Sequence, residues 1–77
     1  MRIVQMPKFS ARLKELRKEK GAKQKDMAEL LDCTYNHYQQ IEYGNVNIPS
    51  LTLEVLADYF EVSTDYLLGR SDDRRTL

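Results

Sequence analysis

Residues 24–44, QKDMAELLDCTYNHYQQIEYG, contain two short amphipathic segments on either side of a turn. Their hydrophobic period predicts helices over 24–31 and 35–43, joined by the turn Asp32-Cys33-Thr34. Asp enters the left-handed backbone conformation more easily than most residues, and Thr34 can cap the second helix. The apolar positions fall on one face of each helix, so we expect the pair to fold onto a common core. They are Met27, Ala28, Leu31, Cys33, Tyr38 and Ile41.

The opposite face of the second segment carries aromatic and amide groups and no charge. Its members are Tyr35, Asn36, His37, Gln39 and Gln40. Amide side chains can pair bidentately with adenine in the DNA major groove, and a tyrosine offers a hydroxyl group and an apolar face for a thymine methyl. An outward Asn or Gln on a small domain is also commonly just solvated. Both interpretations stand on these residues alone.

The rest of the chain continues the helical period. Further helices are predicted over 7–20, 50–60 and 64–68, because prolines precede apolar-periodic stretches and glycines follow them. The prolines are Pro7 and Pro49, and the glycines are Gly21, Gly44 and Gly69. No strand alternation appears, so the fold class is all-α. We predict an N-terminal arm over 1–7, a folded domain over 8–69 and a disordered tail over 70–77, where apolar periodicity is lost.

Length and composition limit the classes of function. The chain has 77 residues, 42% of them hydrophobic and 31% charged, as expected for one soluble globular domain. No apolar run approaches the ~20 residues of a membrane span, and MRIVQMPKF lacks the apolar core of a secretory signal, so we expect a cytoplasmic protein. We find no paired carboxylates, no nucleophile with a base and no phosphate-binding glycine loop, which predicts that the protein is not an enzyme. We expect no small-molecule site and no cofactor.

Two side chains with potential chemistry stand alone in the sequence. Cys33 is the single cysteine, which excludes an intramolecular disulfide, and we expect it to act as a small hydrophobe in the turn. His37 has no Cys or second His at ligand spacing. We therefore predict no metal site.

Charge is separated along the chain although the formal net charge is zero. Residues 1–25 carry nine basic and two acidic side chains, whereas residues 26–69 carry eight acids and no Lys or Arg. Such a dipole can steer one face toward a polyanion. It can equally be a set of solvated helix faces, and this feature alone favours that second interpretation.

An ordered set of motifs runs from residue 9 to residue 69 without a gap. It reads RLKELR at 12–17, Gly21, QxxMAxxL at 24–31, Thr34, Tyr38, IEYG at 41–44, LADYF at 56–60, VS at 62–63 and DYLLG at 65–69. This set resembles the Cro and lambda-repressor type helix-turn-helix family, often called the Xre family. The resemblance implies a compact five-helix bundle with a central helix-turn-helix, lambda-repressor-like. In that arrangement the helix over 35–43 enters the major groove and the helix over 24–31 crosses the DNA backbone.

The resemblance also implies roles for individual residues. Tyr35, Asn36 and Gln40 match the positions from which family members reach base edges. Gln24 matches a phosphate-contacting position at the start of a helix. His37 and Asn45 are weaker candidates for contacts with the DNA backbone.

The sequence departs from the family pattern in three ways. Lys23 stands where Ser or Thr normally caps the helix, which gives up a cap typically worth ~1 kcal/mol. A phosphate contact from Lys23 or Lys25 would compensate. Asp32 replaces the usual turn glycine, and the recognition helix carries no Arg or Lys. Affinity for phosphate must then come from the first helix, the two lysines, backbone N–H groups or the Arg-bearing tail.

The sequence thus predicts a transcriptional regulator that binds a specific site on double-stranded DNA as a two-fold homodimer. Leu51, Val55 and Tyr59 repeat at i, i+4 and i+8 on the helix over 50–60, either as a self-association surface or as one side of a wide apolar face. A protein-interaction module on the same fold, binding a partner protein through the acidic half, is the alternative function. A salt titration of DNA binding separates the two functions.

Overall fold

The computed structural model describes residues 7–75, and these residues form five helices and no strand. The helices are α1 (Pro7–Lys20), α2 (Gln24–Leu30), α3 (Tyr35–Tyr43), α4 (Ser50–Phe60) and α5 (Thr64–Leu68). The all-α prediction is confirmed. Most of the predicted arm, residues 1–6, and the last two residues of the predicted tail lie outside the described part of the chain.

Side chains cap the starts of α3 and α5, whereas the residues before α2 and α4, Lys23 and Pro49, make no side-chain cap. The Thr34 hydroxyl accepts a hydrogen bond from the backbone N–H of His37 at 3.1 Å, and Ser63 caps α5 through the N–H of Tyr66 at 3.0 Å. At α2, Lys23 has no side-chain acceptor for the helix N–H groups. The Asp26 carboxylate instead accepts from the Lys23 N–H at 2.9 Å, which is the reciprocal half of a capping box. An acid inside the first turn therefore compensates in part for the missing cap.

The turn between α2 and α3 explains why α2 ends at Leu30, one residue before the predicted end. Leu31 already leaves the helical region with φ −90° and ψ 1°, and Asp32 has a left-handed φ of 53°. Asp32 thus adopts the conformation that a turn glycine normally supplies. The half-buried Cys33 packs against the core, and its N–H bonds the carbonyl of Ala28 at 3.0 Å.

One hydrophobic core joins all five helices. Helix α1 packs against α3, α4 and α5, while α2 packs mainly on α3. The buried apolar side chains include Phe9, Leu13 and Leu16 from α1 and Met27, Ala28, Tyr38 and Ile41 from α2 and α3; Leu56, Ala57, Val62, Tyr66 and Leu67 complete the set. The predicted inward positions of α2 and α3 therefore face this core, and the other side of α3 faces outward.

Residues 70–75, which we name the C-terminal strap, continue from α5 back across α1. The Arg74 guanidinium binds both oxygens of Glu19, at 2.9 and 3.0 Å, and Arg12 pairs with Asp72 at 2.7 Å. The backbone N–H of Ser63 also donates to the carbonyl of Arg74 at 2.8 Å. Charged side chains make most of these contacts, in a segment where apolar periodicity is missing.

Within residues 7–75, no helix combines the length and the hydrophobicity that crossing a membrane requires.

Candidate functional site

A buried ion pair lies directly beneath the outward face of α3. Glu42 is only 1% exposed, and its Oε1 lies 2.6 Å from Nε of Arg17, whose side chain is 12% exposed. Tyr38 donates its hydroxyl to the same oxygen at 3.4 Å, and Nε2 of Gln24 donates to Oε2. Arg17 also donates to the carbonyl of Ala22 at 3.1 Å. One carboxylate thus links α1, α2 and α3.

The charges of this cluster stabilise one another. Burial lowers the pKa of Arg17, but the hydrogen bond and the charge of Glu42 together raise it above its ordinary value, so the guanidinium stays charged. Burial, reinforced by the charge of Glu42, raises the pKa of the Tyr38 hydroxyl. Tyr38 therefore remains a neutral donor at physiological pH.

Sequence reasoning did not find the role of Glu42. It counted Glu42 among the acids of residues 26–69, whereas the structure removes this charge from the surface. A signal was present, because Glu42 follows the inward-facing Tyr38 by four residues and neighbours Ile41, which puts it on the buried side of α3. Its partner on α1 depends on how the helices cross, which the spacing does not specify.

The Gln24 amide connects the buried pair to the outward face. Its Nε2 is bound to Glu42, and its Oε1 accepts hydrogen bonds from the Tyr35 hydroxyl at 3.1 Å and from Nε2 of Gln39 at 3.3 Å. The structure therefore brings together Gln24, a predicted phosphate-contacting residue, and Tyr35, a predicted base-contacting residue. Tyr35 remains 50% exposed.

A second pair of predicted site residues meets at the other end of α3. Nδ2 of Asn45 donates to Oε1 of Gln40 at 3.1 Å, and the Asn45 backbone N–H bonds the Gln40 carbonyl at 3.0 Å. Gly44, with a left-handed φ of 75°, turns the chain so that both bonds can form. Asn36 and His37 are exposed in the first turn of α3.

Lys23 and Lys25 differ from most of the arginines because their charges are not paired with carboxylates of the described residues. Both lysines are exposed, and neither forms a salt bridge within residues 7–75. Arg12, Arg17 and Arg74, in contrast, are paired with carboxylates of the same chain. The two ammonium groups at the start of α2 are therefore available to an external anion.

The residues of the predicted self-association surface lie on α4. Leu51 on α4 is 71% exposed, and Val55 is half-buried. Tyr59 packs edge-on against Phe60 with ring centroids 5.0 Å apart, and the Lys20 ammonium lies 4.2 Å from its centroid. In the part of the chain that the structure describes, no three His, Cys, Asp or Glu side chains come together as a metal site.

Comparison with known proteins places this arrangement in a family. The family described as the helix-turn-helix domain matches residues 11–72. The HTH-type transcriptional regulator ImmR of Bacillus subtilis (strain 168) is 39% identical over 61 residues, which cover 79% of this chain and 48% of that protein. The SPbeta prophage-derived uncharacterized HTH-type transcriptional regulator YonR of the same strain is 40% identical over 60 residues, or 78% of this chain and 56% of that protein.

A third relative in that strain, the uncharacterized HTH-type transcriptional regulator YqaE, is 37% identical over 67 residues, covering 86% of this chain and 58% of that protein. The chain spans about half the length of these curated relatives. No solved structure matches it significantly. The match to the family covers the caps, the turn and the buried Glu42 described above. The chain therefore belongs to the Xre-like helix-turn-helix family of transcriptional regulators, a family of regulators and not of enzymes.

Proposed function

We propose that this protein binds a specific site on double-stranded DNA, with α3 in the major groove, and represses transcription as a two-fold homodimer in the cytoplasm. The observation that carries the proposal is the outer side of α3, where the side chains are polar and Tyr35, Gln39 and Gln40 are bonded to neighbouring segments. Tyr35 is held by Gln24 and Gln40 by Asn45. Side chains fixed in this way lose less conformational entropy when they bind base edges.

Phosphate contacts complete the proposed interface. Lys23 and Lys25 lie at the start of α2, and their side chains have no carboxylate partner in the described residues, so their ammonium groups can neutralise phosphates without breaking an internal pair. His37 and Asn45, both exposed, are the further candidates at the two ends of α3. Since α3 itself has no cation, its base contacts supply specificity and the flanking lysines supply affinity.

Dimerisation would place two copies of α3 about 34 Å apart, one turn of DNA. Leu51 and Val55 on α4 offer an apolar surface for the second copy, with Tyr59 at its edge. Two weakly basic interfaces on one duplex would reach an affinity that one cannot, because the second contact becomes intramolecular.

Selection of bound duplexes from a random pool tests the proposal, and we expect a symmetric enriched site. On that site, Asn36→Ala and Gln40→Ala should each cost ~1 to 3 kcal/mol and relax the preference at one or two base pairs. Lys23→Ala is the matched control, because it should weaken binding to all sequences alike and lower the salt slope by about one.

Equal losses on the selected and random duplexes for Asn36→Ala and Gln40→Ala would contradict base reading by α3. No enriched duplex, together with binding to a protein partner, would favour the interaction-module function instead. An enriched site without symmetry would count against the homodimer.

A further inference from the structure

We infer that the hydrogen-bond polarity of Tyr35 is set from the core, so that its phenolic oxygen accepts a hydrogen bond from the exocyclic amino group of adenine or cytosine. This inference rests on the proposed DNA binding and assigns the chemistry that one position of α3 recognises. It follows from a relay of four side chains, Arg17, Glu42, Gln24 and Tyr35, each of which leaves the next only one orientation.

The relay begins with a group that can only accept. The Glu42 carboxylate is buried against the Arg17 guanidinium, with 2.6 Å between Oε1 and Nε. A carboxylate paired with a guanidinium has no proton to give. Any amide that meets its second oxygen must present the NH₂ group, and Nε2 of Gln24 occupies that place.

The orientation of the Gln24 amide fixes the next step. The amide is planar, so an NH₂ group turned toward Glu42 turns Oε1 toward α3. Two donors meet this oxygen, the Tyr35 hydroxyl at 3.1 Å and Nε2 of Gln39 at 3.3 Å. A flipped Gln24 amide would set Oε1 against the Glu42 carboxylate and Nε2 against the amide NH₂ group of Gln39, so both ends favour the observed orientation.

A tyrosine has one hydroxyl proton, and Tyr35 donates it to Gln24. The phenolic oxygen keeps its acceptor capacity, and the side chain is half exposed on the outer side of α3. In the major groove the donors are the N6 amino group of adenine and the N4 amino group of cytosine, while N7, O6 and O4 are acceptors. Tyr35 therefore matches an amino group, and pairing it with an acceptor would require breaking its bond to Gln24.

Gln40, which is also bonded on this face, has the opposite polarity to Tyr35. Gln40 receives the Asn45 Nδ2 proton on Oε1, which leaves both protons of its own Nε2 for outside acceptors. The two ends of α3 thus present complementary chemistry, an acceptor at Tyr35 and a donor at Gln40. This contrast supplies an internal control.

The test is a double-mutant cycle on the selected duplex. Adenine is replaced by purine, or cytosine by pyrimidin-2-one, one position at a time, so that only the amino group is removed. At one base pair this change should weaken the wild-type protein about two- to tenfold, the size of one hydrogen bond, and should not weaken Tyr35→Phe further. Effects on duplex stability cancel, because both proteins meet the same DNA.

The controls probe the other groove atoms and the relay. Replacing purine N7 by carbon, as in 7-deazaadenine or 7-deazaguanine, should couple to Gln40→Ala and not to Tyr35→Phe. In Gln24→Ala the Tyr35 proton is released, so the coupling of Tyr35 to the amino group should fall while a purely structural role of Gln24 would leave it unchanged. Thermal unfolding of each variant in the absence of DNA checks that it is folded.

Coupling of Tyr35→Phe to N7, or to the thymine methyl when uracil replaces thymine, would overturn the inference. So would a selected duplex on which Tyr35→Phe couples to no amino group, although the proposed function would then survive. A wild-type protein that enriches no duplex would overturn the proposed function and the inference together.

Discussion

Two guanidinium–carboxylate pairs of this protein are alike in chemistry and opposite in environment. Arg17 and Glu42 meet at 2.6 Å beneath α3, with side chains that are 12% and 1% exposed. Arg74 and Glu19 meet at 2.9 Å where the C-terminal strap crosses α1, with side chains that are 43% and 47% exposed. Solvent screens the second pair and leaves the first largely unscreened, so similar distances imply very different energies.

The buried pair contributes more to the relative positions of the helices than to the net free energy of unfolding. Removing two charges from water costs several kcal/mol per ion, and their attraction offsets this only with good geometry and additional hydrogen bonds. Here Tyr38 and Gln24 donate hydrogen bonds to Glu42, and the Arg17 guanidinium donates one to the Ala22 carbonyl. The pair therefore holds three helices in one relative position and orients the amide that contacts Tyr35.

Removing one partner of the buried pair should give the largest effect. We expect Glu42→Ala to lower the free energy of unfolding by about 3–5 kcal/mol, because Arg17 would remain buried without a counter-charge. Urea denaturation, monitored by circular dichroism, measures this loss in the free energy of unfolding. The double variant Arg17→Met/Glu42→Leu should regain most of the loss, since it leaves no unpaired charge. A stable Glu42→Ala variant would mean that water already reaches Arg17.

A smaller effect should appear at alkaline pH. The raised pKa of Tyr38, caused first by burial and then by the charge of Glu42, means that the folded state holds the proton more tightly than the unfolded state. The contribution of the Tyr38 hydroxyl to stability is complete below pH 10, which is the ordinary pKa of tyrosine. It is lost as the pH rises from that value toward the higher pKa of the folded state. The stability difference between wild type and Tyr38→Phe should therefore shrink above pH 10. Tyr43→Phe, on the exposed side of α3, is the control and should keep the wild-type decline.

At the strap, removing one partner should matter much less. Arg74 contacts Glu15 at 3.7 Å and Glu19 at 2.9 Å, and its guanidinium lies 5.2 Å from the Tyr66 ring centroid. We expect Arg74→Gln to lower the free energy of unfolding by at most about 1 kcal/mol, and less in high salt. Arg75→Gln, which breaks only a local pair with Asp73, should cause no measurable change. Equal effects of the two substitutions would show that the side-chain contacts of Arg74 with α1 do not stabilise the domain.

The smallest effect should be the response of the strap to acid. The hydrogen bond from Arg74 lowers the pKa of Glu19 below its ordinary value of 4.5. The ionised carboxylate therefore stabilises the folded state at pH values above 4.5. This contribution of Glu19 to the free energy of unfolding is lost as pH falls through the lower pKa that the group has in the folded state. Thermal unfolding should separate wild type from Glu19→Gln at neutral pH and no longer separate them well below pH 4.5. A difference that persists in acid would place its origin outside this ion pair.

The helices could be predicted because their determinants are local. The predicted ends of α1, α3, α4 and α5 agree with the structure, since apolar period, caps and glycines lie within a few residues of each end. Only the end of α2 shifted, by one residue, because Leu31 already belongs to the turn set by Asp32. Helical period also placed Tyr35 and Asn36 on the outer face.

The contacts that organise the site could not be predicted in the same way. Gln24 and Tyr35 approach each other because α2 and α3 cross at one particular distance, and Glu42 finds Arg17 across 25 positions of sequence. Charge counting treated Glu42 as a surface acid, although its place four residues after Tyr38 indicated the buried side. The contacts of the strap give no signal in the sequence for a related reason, because single charges with distant partners leave no periodic pattern.

The strap joins parts of the chain that are far apart in sequence, with 60 positions between Arg12 and Asp72 and 55 between Glu19 and Arg74. Contacts that close long loops tend to form after local helix pairs have met, so we expect the strap to be absent from the transition state for folding. Arg74→Gln should then speed unfolding and leave the folding rate nearly unchanged in a stopped-flow chevron. On this view the strap governs how long the folded domain persists and has little influence on how quickly it forms.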